Sequence, residues 1–157
     1  MIPLKIAIDG GAWFRVEGHP NQLDENVGGR IFFQIKFLSF DKVVLSQSDD
    51  PGQLQLQLDA NVWILRVQVV NLCRKAFSSF RLNQSIRLVD EEGYEFGCVE
   101  DRHLILYSDF AQRSGLFAFF CAALKPKIKA AGAIPFELPE FFETLSVTFD
   151  GADMFEA

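Results

Sequence analysis

Apolar and polar residues alternate with a period of two along most of this chain. In Ile31-Phe32-Phe33-Gln34-Ile35-Lys36-Phe37, one face collects Ile31, Phe33, Ile35 and Phe37, and the other carries Gln34 and Lys36. Successive strand side chains point to opposite sides, so this pattern predicts a strand with one buried face. Gln53 to Leu58 repeats it more strictly, Leu against Gln. In Asn61 to Asn71, Trp63, Leu65, Val67 and Val69 oppose Arg66 and Gln68, which places Trp63 in the core. Phe80 to Leu88 sets Phe80, Leu82, Ile86 and Leu88 against Arg81, Asn83, Ser85 and Arg87. Asp90-Glu91-Glu92-Gly93 reads as a hairpin turn, since glycine accepts the positive φ of a tight reversal, and Tyr94 to Val99 returns from it. Ala133 to Leu138 and Thr144 to Asp150 complete the series. Pro135 has no N–H to give a ladder, so its strand lies at an edge or turns that nitrogen outward.

Helical signals are few. Asp109 to Gly115 predicts one short turn capped by Asp109, and Pro139 to Glu143 another with proline in the first turn. His19 to Gly29 and Ser46 to Gly52 read as loops, and Gly10-Gly11 and Gly28-Gly29 as turns without the strand-to-helix setting of a nucleotide loop. Many short strands without interleaved long helices predict an all-β antiparallel β-sandwich. A single domain is expected over residues 1–157, with an extra N-terminal strand segment within Ile2 to Val16.

Four motifs in order give the second half a family character. Val67-Gln68-Val69-Val70-Asn71 is a β-branched strand ending in Asn, and Ile86 to Tyr94 runs into an acidic-Gly-aromatic turn. Leu124-Lys125-Pro126 leads to Gly132, and Ile134-Pro135-Phe136-Glu137-Leu138-Pro139 precedes the final strand Leu145 to Phe149. From about residue 62 to 151 the chain resembles a bacterial immunoglobulin-like family of unknown function, usually met in exported proteins and lipoproteins. The resemblance implies an immunoglobulin-like sandwich and no catalytic residues. Where the family has glycine after the Leu-x-Pro proline, this chain has Lys127. Asn71 is expected to bond neighbouring backbone where its strand ends.

Composition narrows the function. Phe is abundant, 17 residues against 2 Trp and 2 Tyr, and Phe adds buried area without a polar handle. The formal net charge is −6, with the acidic excess in the second half, and no basic cluster suits nucleic acid. Lys125, Lys127 and Lys129 read as the solvated end of a strand. The N-terminus lacks the pattern of a signal peptide, which points to a cytoplasmic address, or an exported one if the chain is trimmed from a longer form. Leu116 to Leu124 is too short to span a bilayer. Cys73, Cys98 and Cys121 lack metal or redox spacing and are expected as thiols, with a Cys73–Cys121 bridge the weaker reading.

Candidate chemistry is sparse. Asp101, His103 and Ser108 are hydrolase residue types without a nucleophile elbow or oxyanion loop, and Cys98 near His103 has no family signature around it. His19 and His103 lack metal spacing, and no cofactor is expected. Asp49-Asp50 and Asp150 with Asp153 offer calcium-type oxygens in what read as ordinary turns. The stretch Leu116 to Leu124 is apolar on both strand faces, so Phe117, Phe119 and Phe120 are a candidate interaction surface, with Trp13 outside the family-like region as a further member. The N-terminal segment Ile2 to Val16, the Phe141-Phe142 turn or a second copy is expected to cover it. The leading expectation is a non-enzymatic binding or assembly module with a protein partner or homo-oligomer. Next come a small-molecule or glycan carrier with a Phe-lined cavity and, last, a hydrolase using His103. No membrane span is expected.

Overall fold

The computed structural model of the protein describes residues 1–18, 31–43, 61–99 and 123–157. It is an all-β sandwich of antiparallel sheets. The strands are β1 (Ile2–Pro3), β2 (Trp13–Gly18), β3 (Ile31–Lys42), β4 (Asn61–Asn71), β5 (Phe77–Ser78), β6 (Ile86–Asp90), β7 (Glu95–Gly97), β8 (Ala123–Leu124), β9 (Lys129–Leu138), β10 (Leu145–Phe149) and β11 (Ala152–Glu156). Among the described residues two short helices, α1 (Leu4–Gly10) and α2 (Ser79–Ser85), interrupt them. One sheet has the order β1-β10-β6-β7 and the other β11-β2-β3-β4-β9, while β5 and β8 form a separate ribbon.

The alternation predicted for β3 is realised: Ile31, Phe33, Ile35 and Phe37 are all buried, and their ladder partners Val69 and Val67 on β4 are buried beside them. From the facing sheet come Ile86, Leu88, Val147 and Phe149. Phe33 meets Phe149 edge-on at 5.4 Å between ring centroids, which joins the two layers at mid-core. Phe77 on the ribbon packs on Phe33 from another side at 6.1 Å. Fully burying side chains of this size stabilises by roughly 1.5–3 kcal/mol each.

The chain changes layer at tight links. Gly151, at φ 75°, turns β10 of one sheet into β11 of the other. Past β7, Cys98 bridges Phe136 and the Val99 N–H donates to Pro135 O at 2.9 Å. Pro135 therefore lies on the edge strand β9, as its missing N–H requires. The β6–β7 hairpin closes as expected: Gly93 has φ 90°, and Asp90 Oδ1 accepts the N–H of Glu92 at 3.0 Å and of Tyr94 at 2.9 Å.

Three local expectations are corrected. The expected N-terminal strand is realised in part: Ile2–Pro3 pairs with β10 and Trp13–Gly18 with β3 and β11, but Leu4–Gly10 between them is helical. Leu4, Ile6 and Ile8 mimic strand alternation, but Leu4 and Ala7 are the buried pair, at helical i, i+3 spacing. Gly11 ends that helix in the left-handed region at φ 61°, its N–H bonding Ile8 O. Ser79–Ser85 is also helical, so the strand predicted from Phe80 begins only at Ile86. There Ser85 Oγ donates to Arg81 O, an i−4 bond that only a helix offers. Pro139 to Glu143 forms a bent connection rather than a helical turn. Gln53 to Leu58, Asp109 to Gly115 and the loops around 19–29 and 46–52 lie outside the described residues.

Candidate functional site

An open groove of about 620 Å³ lies at one end of the sandwich. Such volumes fall within the range of ligand-binding clefts. One wall is α1 with its leading Pro3, contributing Leu4, Ile6 and Ile8. The opposite wall is the end of β3, with Leu38 and Phe40, and the third is the segment Phe142 to Leu145. The β3 wall exists because of a register shift between Phe37 and Ser39 in the β3–β4 ladder. Strict alternation would turn Phe40 away from the face of Phe37; the extra residue restores it to that face, opposite Leu65.

Aromatic packing holds the groove's floor. Phe40 stacks on Trp63 at 4.9 Å with 16° between ring planes, and Phe142 makes a T-shaped contact with Trp63 at 5.5 Å. Trp63 shares the inner face with Leu65 and Val67 as expected, but it ends the core half-buried. The apolar rim faces solvent: Ile6 is 66% exposed and Leu38 39%. Neighbouring Phe141 is 85% exposed. The polar rim consists of Lys5, Asp9, Ser39, Asp41, Glu143 and Thr144.

The third wall is tied to the β6–β7 turn. Both Glu91 carboxylate oxygens accept the Glu143 N–H at 3.2 Å, and Oε2 accepts the Thr144 N–H at 3.3 Å. Backbone hydrogen bonds, that of Glu91 itself first and then those of Thr144 and Glu143, hold its carboxyl below the usual value of 4.5 against an opposing desolvation effect.

Of the residues singled out from sequence, Trp13 is half-buried on the outer face of the five-stranded sheet, opposite Lys36, with Lys129 Nζ 5.5 Å from its ring centre. It takes no part in the groove. Phe117, Phe119, Phe120, Asp101, His103, Ser108, Cys121, His19, Asp49 and Asp50 lie outside the described residues. Cys98 is half-buried, its Sγ 3.3 Å from Val99 O, and Cys73 Sγ lies 3.2 Å from the Phe32 N–H. Asp150 and Asp153 border the β10–β11 turn, and no group of three or more metal-ligating side chains occurs among the described residues. The groove itself was not foreseen. Ile6, Phe40 and Phe142 come from three separate segments, and the only local signal was Phe141-Phe142 beside Pro139.

No family model and no curated protein matches the chain. A solved structure from Bacillus subtilis, described as a "putative lipoprotein" (ycdA), is similar at 13% identity with a TM-score of 0.41. The likeness covers 85% of this chain and 37% of that one, so the chain spans little more than a third of that protein's length. The cytoplasmic address expected from the N-terminal residues is not retained: where the sequence begins does not set a compartment, and the neighbour reported above is described as a lipoprotein. Among the described residues no helix is long and apolar enough to cross a membrane.

Proposed function

We propose that this protein is a non-enzymatic binding module, an immunoglobulin-like sandwich whose partner is another protein held in the groove beside α1. The observation that carries this reading is the open groove of about 620 Å³ with an aromatic floor and an exposed aliphatic rim. Contiguous exposed apolar surface usually marks an interaction site. The immunoglobulin-like assignment draws on the order of the motifs between residues 62 and 151 and on two antiparallel sheets exchanged by the chain.

The test is site-specific photocrosslinking in the native host. A photoreactive residue replacing Leu38 should trap one defined protein, and the same residue at Ile128, exposed at the opposite end of the β4–β9 ladder, should not. The same adduct from both positions would overturn the assignment of the site. The two phenylalanines lining the groove favour a second reading, a carrier of small apolar molecules. A rise in thermal midpoint with such a ligand, coupled with no protein adduct, would move the function to that class; saturation at a hundredfold excess over Kd is worth about 2.7 kcal/mol.

A further inference from the structure

The charge on the groove's rim is mostly of one sign. Asp9 on α1, Asp41 at the end of β3 and Glu143 on the third wall surround the apolar floor, with Lys5 as the single opposing charge among the described lining residues. All three acids are exposed and come from three separate segments, so the groove gathers them around its mouth. We infer that the partner presents an aliphatic anchor flanked by Lys or Arg, a short basic-apolar segment that fills the groove and meets this rim.

Charge complementarity selects this occupant over a second copy. In a two-fold symmetric contact the same patch meets itself, so the rim carrying Asp9, Asp41 and Glu143 would meet an equally acidic rim. Like charges brought together across an interface oppose association. A basic segment meets the opposite sign at each point, and a long Lys or Arg stem can lie along Ile6 or Leu38 while its head reaches the rim. The floor suits the same partner, because a cation over an aromatic face gains from the ring's negative centre, and Phe40 and Phe142 both line the groove.

The inference rests on the binding-module reading, and the experiment separates the two. Four fluorescent capped pentapeptides are titrated against the full chain at low salt: Arg-Leu-Lys-Leu-Arg, Gln-Leu-Asn-Leu-Gln, Glu-Leu-Asp-Leu-Glu and Arg-Gly-Lys-Gly-Arg. Exposed ion pairs are individually weak, each worth a few-fold at most, so three together should favour the first peptide over the uncharged one by roughly tenfold. The preference should shrink with added salt. The glycine peptide should bind far more weakly than the leucine peptide. In the triple variant Asp9→Lys, Asp41→Lys, Glu143→Lys, checked for unchanged circular dichroism, preference should pass to the acidic peptide. Equal binding of the three leucine peptides overturns the charge inference and leaves the apolar groove standing. Equal binding of the two basic peptides, or an unchanged preference in the triple variant, shows attraction unrelated to the groove and overturns it too. Binding of none of the four overturns both the inference and the peptide-binding groove.

Discussion

Asn71 Nδ2 donates to Leu124 O at 2.8 Å, across 53 positions of sequence. The same amide nitrogen donates to Lys75 O at 3.0 Å, and Oδ1 accepts the Cys73 N–H at 2.7 Å. The Asn71 carbonyl takes the Lys127 N–H at 2.8 Å. One buried side chain thus closes the end of β4, supports the turn after it and anchors the strand β8. Replacing Asn71 with Leu would leave three backbone groups without these partners. Each buried unsatisfied group costs about 1–3 kcal/mol, partly relieved by water where the site can open. We expect a loss of about 2–4 kcal/mol in denaturant unfolding. Asp at this position should cost a similar amount, because it keeps the acceptor and loses both donors.

Lys127 is the only non-glycine residue at positive φ among the described residues, at 59°. It follows Pro126 in a turn whose Ile128 N–H points to Lys125 O at 3.4 Å. Proline second and a left-handed residue third is the pattern of a type II turn, which favours glycine in the third place. A side chain there costs roughly 1 kcal/mol. Lys127→Gly should therefore raise stability by about 0.5–1 kcal/mol, and Lys127→Ala should leave it nearly unchanged. Thermal unfolding of the three proteins decides the point.

Gly18 pairs with Ala152 where β2 meets β11. A Cβ on Gly18 would stand 2.6 Å from both Ala152 Cα and Gly151 O, and its φ is 152°. Backbone on both sides cannot yield as a flexible side chain would. Gly18→Ala should cost about 2–4 kcal/mol by overpacking and backbone strain together. Gly10 is the control: a Cβ there meets nothing within 4 Å, so Gly10→Ala should be neutral or stabilise α1 by up to about 1 kcal/mol.

The Glu91 carboxyl is held below its ordinary value by backbone N–H donors, its own first. The unfolded chain therefore binds that proton more readily than the folded one. The stabilisation is fully present above the unfolded carboxylate range, near 4.5, and is lost as pH falls through the lower folded value. Glu91→Gln removes this titration. The stability gap between wild type and variant should narrow as pH drops from neutrality through that window. A gap that stays constant with pH would assign the Glu91 contacts no linked role.

How far the fold could be read in advance depended on whether a segment's burial pattern was unique to one geometry. Ile31 to Phe37 alternates over a length that no helix can bury on one side, and the strand follows. Leu4 to Ile8 alternates too, yet five residues are too few to distinguish a period of two from 3.6, and docking of Leu4 and Ala7 decided for helix. Phe80 to Leu88 failed for a different reason: a helix and a strand join at Ile86 without a break in the apolar spacing. Asn71 was legible as a backbone-bonding strand end, but its long-range partner Leu124 was not. The groove was illegible, because its walls meet only after the bulge at Phe37–Ser39 turns Phe40 inward.

Phe141 and Phe142 should separate sharply. A helical turn from Pro139 would have placed these neighbours about 100° apart on a small cylinder, each with a partly covered face. The bent chain instead leaves Phe141 85% exposed and packs Phe142 on Trp63 in a T-shaped contact. Phe141→Ala should change stability by no more than about 0.5 kcal/mol, as surface substitutions usually do. Phe142→Ala removes an aromatic contact worth about 0.5–1.5 kcal/mol beyond its buried area, so a total near 2 kcal/mol is expected for a half-buried ring. Trp63 reports the difference directly. In a Trp13→Phe background, Phe142→Ala should shift Trp63 emission to longer wavelength by admitting water to the ring, and Phe141→Ala should leave it in place. Equal shifts from both substitutions would contradict the packing of Phe142 on Trp63, and with it the aromatic floor of the groove.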